Sequence, residues 1–295
     1  MARPWDFVDR CEETKILEDA LQGKRPERVL VFLVEALLGK TYLMNHFLDC
    51  CVSRVPLSVL VDLDSRNRDG EAVTYWKFAR LISDGLGLEF FPEVAAFEKR
   101  YGENAPFIAV QTGPGEGGAS VGTKGRFDDV ELSDTTGRDR IEVRVSDVAY
   151  LGTGDGAKNR QERLKHEMGL AFRNDLARLC QSQRVVILID TYEQVSQETR
   201  HWIHEWLFCR IPDYCPGLSL VIAGRPEERE YLTRSIVWAA PIRVFDRLSH
   251  LEEEHVRAYA QIHGTTIDKA TLGVLMSVGR RNMGAMAMVT EYLKT

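Results

Sequence analysis

Four short apolar runs constrain this chain more than any other feature: VLVFLV at residues 29–34, LSVLVDLD at 57–64, RVVILID at 184–190 and LSLVIAG at 218–224. Each is too short and too rich in β-branched residues for a helix, and each reads as a strand buried on both faces. Longer stretches with helical spacing lie between them, at 39–52, 71–87, 163–182 and 196–211. Strands that alternate with helices require parallel crossovers, so the expected fold is α/β: a three-layer parallel sheet with helices on both faces. After residue 245 the pattern becomes helical again, which divides the chain into an α/β domain over 1–245 and a small lid-like helical subdomain over 246–295.

The chain opens with an amphipathic helix over about residues 6–22, with Ile16, Leu17, Ala20 and Leu21 on one face and Gly23 as the stop signal. Residues 103–160 break the α/β pattern. They are rich in Gly, Asp, Ser and Thr, which predicts an insertion with a mobile loop and a β-ribbon. Hydrophobic residues at 44% and charged residues at 28% suit a globular chain, and a net charge of −6 argues against a general nucleic-acid binder. The six cysteines form no CxxC pair, and no apolar run reaches the roughly 18 residues of a membrane span. These features predict a soluble cytoplasmic protein with reduced thiols, no membrane association and no nucleic-acid partner.

The first chemical motif is Gly39-Lys40-Thr41, placed where a strand ends and a helix begins. In a P-loop the backbone N–H groups wrap phosphate, the lysine reaches the outer oxygens and the hydroxyl binds Mg²⁺. The loop departs from G-x-x-x-x-G-K-[ST] because Val34 holds the place of the first glycine and Ala36, Leu37 and Leu38 fill the turn. β-branched bulk near phosphate predicts weakened binding, and glycines restored at 34 and 36 are expected to strengthen it. GPGEGG at 113–118 matches a dinucleotide fingerprint, but no helical pattern follows, so it reads as a surface loop.

The second motif is Asp190 at the end of a buried strand with Glu193 just beyond, an acid pair suited to holding Mg²⁺ and orienting a water. The third is Arg225, delivered by the 218–224 strand to the same edge of the sheet, where it can sense a phosphate or pair with Asp190 or Glu193. Other groupings are weaker. His201, His204 and Cys209 share a helix without a fourth zinc ligand, Trp202, Trp206 and Phe208 read as packing, and Cys50 and Cys51 have no adjacent base.

In their order along the chain, FVDRCEE, GKT, LIDTYE, VIAGR and RLSHLEEEHVRAYAQIHG resemble the nucleotide-binding core of the STAND ATPases, signalling switches related to the AAA+ proteins. The resemblance covers most of the chain apart from the glycine-rich insertion. It implies that Arg10 lies near an adenine pocket, that Gly39, Lys40 and Thr41 are the Walker A residues, that Asp190 is the Walker B aspartate, and that Arg225 is the sensor. Thr41 and Asp190 would then be the Mg²⁺ ligands. The missing loop glycines, and VGRRNMGAMAMV at 278–289 where the family has a Gly-x-Pro segment, are similar to the degenerate, inactive STAND subgroup of bacterial effector and defence systems.

The resemblance therefore implies a regulatory module that acts through protein contacts, with degenerate nucleotide binding and weak or absent hydrolysis. Its partner would be an effector supplied in trans, such as a caspase-like protease, with homo-oligomer formation left open. The alternative is an active switch that binds ATP or ADP with Mg²⁺ and hydrolyses ATP. A kinase-like transferase is a third reading, but it lacks an identifiable substrate pocket.

Overall fold

The structure is a computed structural model that describes residues 10–35, 38–55, 57–64, 73–101, 110–111, 120–121, 155–209, 215–234, 241–248, 252–262 and 266–279. Helix α1 (Cys11–Leu21) leads to strand β1 (Val29–Leu33), α2 (Lys40–Val52), β2 (Leu57–Asp62), α3 (Tyr75–Leu86) and α4 (Pro92–Tyr101). A two-residue antiparallel ribbon follows, β3 (Val110–Gln111) with β4 (Ser120–Val121). Then come α5 (Asp155–Ser182), β5 (Val185–Asp190), α6 (Gln197–Ile203), β6 (Leu218–Gly224), α7 (Arg229–Arg234), β7 (Ile242–Phe245), α8 (Glu253–Ile262) and α9 (Lys269–Gly279).

Five strands form one parallel sheet in the order β2-β5-β6-β1-β7. Side chains alternate between its two faces, as the pleat requires. Val29, Val31, Leu33, Ile187, Leu220 and Ile222 meet residues of α3, α4, α5 and α6. Leu30, Phe32, Val34, Leu188, Val221 and Ala223 meet residues of α1 and α2 on the opposite face. Burial of both faces accounts for the unbroken apolar runs of β1, β5 and β6, whereas β2, expected to be buried on both faces, is an edge strand buried only at Val59 and Val61. The layering agrees with the three-layer expectation.

Local capping and packing fix the helices against this sheet. The Thr74 hydroxyl accepts from the Lys77 N–H to start α3, and the Ser196 hydroxyl accepts from the Thr199 N–H to start α6. In α5 the buried carboxylate of Asp175 accepts from the backbone N–H groups of Glu93 and Val94 at 2.8 and 3.0 Å, which ties the first turn of α4 to α5. Gly169 leaves room for the indole of Trp206, since a Cβ added there would lie 2.3 Å from the ring.

Some elements differ from the sequence reading. Strand β7 and helix α4 were not expected. β7 is short, half-buried and at the sheet edge, so it carries no long apolar run; it is held by Phe245, which stacks on Phe32 at 4.4 Å. Helix α5 begins at Asp155, inside the stretch read as insertion, and α6 gives way to a π-helical turn at His204–Phe208. The ribbon flanks the glycine-rich string, most of which lies outside the described residues, as do 141–148 and 280–289. Among the described residues no helix is long and apolar enough to cross a membrane.

Candidate functional site

The site is assembled at the carboxyl ends of β1, β6, β5 and β2. Because β6 lies between β1 and β5, the residue that follows it, Arg225, falls between the loop after β1 and the acids after β5. Gly39 precedes α2 with φ +86°, a conformation that favours glycine, and its carbonyl accepts from the Leu43 N–H. Lys40 opens the helix and is 9% exposed. Its ammonium donates to the carbonyl oxygens of Val34 and, at 3.0 Å, Glu35. Burial holds the Lys40 pKa below the ordinary lysine value, against the opposing attraction of Glu193 and Asp190.

Val34 differs from the sequence expectation in a way that bears on the loop. Its side chain is 2% exposed and packs in the core beneath α2, and its N–H donates to the Gly224 carbonyl. It does not adopt positive φ; among the described non-glycine residues only Thr191 does. The bulk that replaces the first glycine is therefore directed into the core rather than into the turn. Ala36 and Leu37 lie outside the described residues.

Asp190 is 1% exposed. Its Oδ1 accepts from the Thr191 N–H at 2.8 Å, while Oδ2 is buried without a hydrogen-bond partner. Burial raises the Asp190 pKa to about 6; the Thr41 hydroxyl and the Thr191 N–H oppose that rise, and the nearby charges of Asp62 and Glu193 add to it. Glu193 receives the Arg225 guanidinium, Nε to Oε1 at 3.1 Å, so the arginine pairs with this acid, one of the two partners the sequence allowed. The other oxygen of Glu193, Oε2, is buried without a hydrogen bond.

Between the two acids, Thr191 sits at φ +58°, ψ +40°. A left-handed β-branched residue costs about 1–2 kcal/mol, so something must hold it there. Its hydroxyl donates to Asp62 Oδ1 at 3.2 Å. Asp62 ends β2 directly beside Asp190 in the sheet register and was not singled out from sequence, although LVD at a strand end is the same signal as LID.

The remaining sequence candidates fall into place around this core. Arg10 is 5% exposed and donates to the Leu38 carbonyl, which joins α1 to the loop. Behind Glu193, Arg200 of α6 pairs with Glu228 at 2.8 Å and lies over the rings of Tyr192 and Tyr231. His204 packs its ring against Tyr231 and Phe208, and burial lowers its pKa to about 4. Trp202 and Trp206 pack against α3 and α5 and are 3% and 6% exposed.

Carboxylate oxygens buried without hydrogen-bond partners suit a hard cation with oxygen ligands. The donor set of Thr41 and Asp190, with Glu193 adjacent, fits Mg²⁺. The lysine, the backbone of a helix N-terminus and the arginine paired with Glu193 fit the phosphates that accompany it.

No protein-family model matches the sequence, and no curated protein matches it. Among solved structures, the chain is similar to the Walker-type ATPase PABY2304 of Pyrococcus abyssi, with a TM-score of 0.53 and 12% identity over 98% of this chain and 69% of that one. It also matches the Aeropyrum pernix Orc1 protein, solved in complex with DNA, at 14% identity and a TM-score of 0.45, and Cdc6p from Pyrobaculum aerophilum at 8% and 0.48. The chain spans 59% and 63% of those two. The similarity to the Walker-type ATPase agrees with the sheet: the fold is a P-loop NTPase-like α/β fold.

Proposed function

We propose that this chain is a regulatory switch module that binds a magnesium nucleoside triphosphate, ATP by preference, and hydrolyses it slowly. The observation that carries this reading is the convergence of Lys40, Thr41, Asp190, Glu193 and Arg225 at one sheet edge, with two buried carboxylate oxygens that have no hydrogen-bond partner. Nothing is gained in stability by such oxygens unless a ligand completes them. In this reading Thr41 and Asp190 hold Mg²⁺, which supplies charge neutralisation on the phosphate oxygens. Lys40 exchanges its bonds to the Val34 and Glu35 carbonyls for bonds to the outer phosphate. Asp190, pKa about 6, is ionised at neutral pH and ready to coordinate.

Slow turnover follows from the pairing of Glu193 with Arg225. A carboxylate engaged by a guanidinium is a poor base toward water, so it orients water effectively only when the arginine turns toward phosphate. The STAND resemblance adds the expected use of such a module: it passes a signal to an effector protein in trans, of which a caspase-like protease is one kind, with self-association as the step between.

Calorimetric titration of Mg-ATP and Mg-ADP into nucleotide-free protein tests the reading. Binding that weakens at least about 100-fold in Lys40→Ala is expected, since a buried charge-assisted contact is lost. Absence of binding to folded wild-type protein would leave a module that works through protein contacts alone.

A further inference from the structure

Asp62 lies outside the nucleotide-binding motifs, yet it is built into the acid end of the site. It ends β2 at the register position of Asp190, and its Oδ1 accepts from two donors, the Thr191 hydroxyl at 3.2 Å and the Asp64 N–H at 2.9 Å. Thr191 links the two acids. Its N–H holds Asp190 Oδ1, its carbonyl accepts from the Gln194 N–H, and its left-handed conformation turns the chain from β5 into the short 3-10 segment that carries Glu193. Without the hydroxyl contact, a threonine released from this turn would relax toward negative φ, which moves the Asp190 partner and the Glu193 backbone together.

The geometry points to Asp62 as a positioning residue for the candidate cation site: through the Thr191 hydroxyl it locks the left-handed turn that aims Asp190 and Glu193 at Lys40 and Arg225. This rests on the magnesium-nucleotide reading of the site. Asp62 does not itself touch the ligand; it acts through hydrogen-bond acceptance, with its negative charge opposing rather than supporting ionisation of Asp190. An acceptor without the charge should therefore serve as well as the acid.

The test is Mg-ATP titration of four full-length proteins: wild type, Asp62→Asn, Asp62→Ala and the double variant Asp62→Ala, Thr191→Gly. Loss of an orienting outer contact typically weakens metal affinity 10- to 100-fold, so Asp62→Ala is expected to bind about 10-fold more weakly or worse. Asp62→Asn keeps the acceptor and is expected within about threefold of wild type. In the double variant glycine adopts the left-handed turn without the threonine penalty, so affinity should return most of the way. An Asp62→Ala affinity equal to wild type, or a folded double variant no better than Asp62→Ala, would overturn the assignment.

Should wild type bind no Mg-ATP, the nucleotide reading fails, and amide exchange at Thr191 then decides the positioning role separately. Protection that drops at least about 10-fold in Asp62→Ala and is retained in Asp62→Asn upholds the lock. Equal protection in both variants overturns it.

Discussion

Asp190 shows how a buried acid at a candidate site burdens the fold that carries it. Its folded pKa of about 6 lies above the ordinary 3.8, so the folded state takes up a proton that the unfolded state releases between those values. The contribution of Asp190 to stability therefore falls as pH rises from about 4 to about 6, and its full penalty, about 3 kcal/mol, is present above that window. Asp190→Asn keeps an acceptor for the Thr191 N–H and removes the charge. Its stability advantage over wild type is expected to grow by about 2 kcal/mol between about pH 4.5 and about pH 7.5, measured by urea unfolding at each pH. Saturating Mg²⁺ and ATP should stabilise wild type and leave the variant unchanged. Val34 makes a second case at this scale: because its side chain fills the core beneath α2, Val34→Gly is expected to cost about 2–3 kcal/mol by thermal unfolding, with no gain in nucleotide affinity. Lys40, Thr41, Asp190 and Arg225 were legible because each follows a buried strand or opens a helix at a fixed place. The direction of Val34, and the part played by Asp62, depend on which strand lies beside which, and spacing along the chain does not encode that.

At the scale of elements, β1, β5 and β6 were readable because burial on both faces strips them of polar residues, and β2, half-buried at the other edge, because its run LSVLV is still apolar. The edge strand β7 was not: half-buried at all four positions, it carries the weak pattern IRVF, and only its pairing with β1 makes it a strand. Helix α4 was overlooked although Pro92 is well placed as a first helical residue. Its N-terminus is completed from far along the chain by Asp175, and Arg178 bridges Asp175 and Glu93 at 2.9 and 2.8 Å. Burial raises the Asp175 pKa despite these donors, so the group costs something to ionise and more to lose. Asp175→Ala should destabilise the protein by about 2 kcal/mol or more, with Asp175→Asn in between, as read by urea denaturation. Amide exchange should show the effect concentrated in α4.

For the molecule as a whole, a site built from strands β1, β2, β5 and β6 makes ligand binding inseparable from the stability of the sheet. At a ligand concentration about 100 times Kd, Mg-ATP should add about 2.7 kcal/mol to the folding free energy. Thermal unfolding with and without ligand should show that increment in wild type and lose it in Lys40→Ala. On the side of α6, Arg200 pairs with Glu228, three residues after Arg225, while lying over Tyr192, just before Glu193. Two residues beyond Arg200, Trp202 lies within 6.3 Å of the Tyr75, Phe78 and Phe172 rings and donates its indole N–H to the Lys165 carbonyl. Trp202 thus places an indole in a dry and ordered setting close to the Arg200–Glu228 pair, and a change in fluorescence on adding Mg-ATP that disappears in Trp202→Phe is the expected sign that the candidate site is coupled to α6.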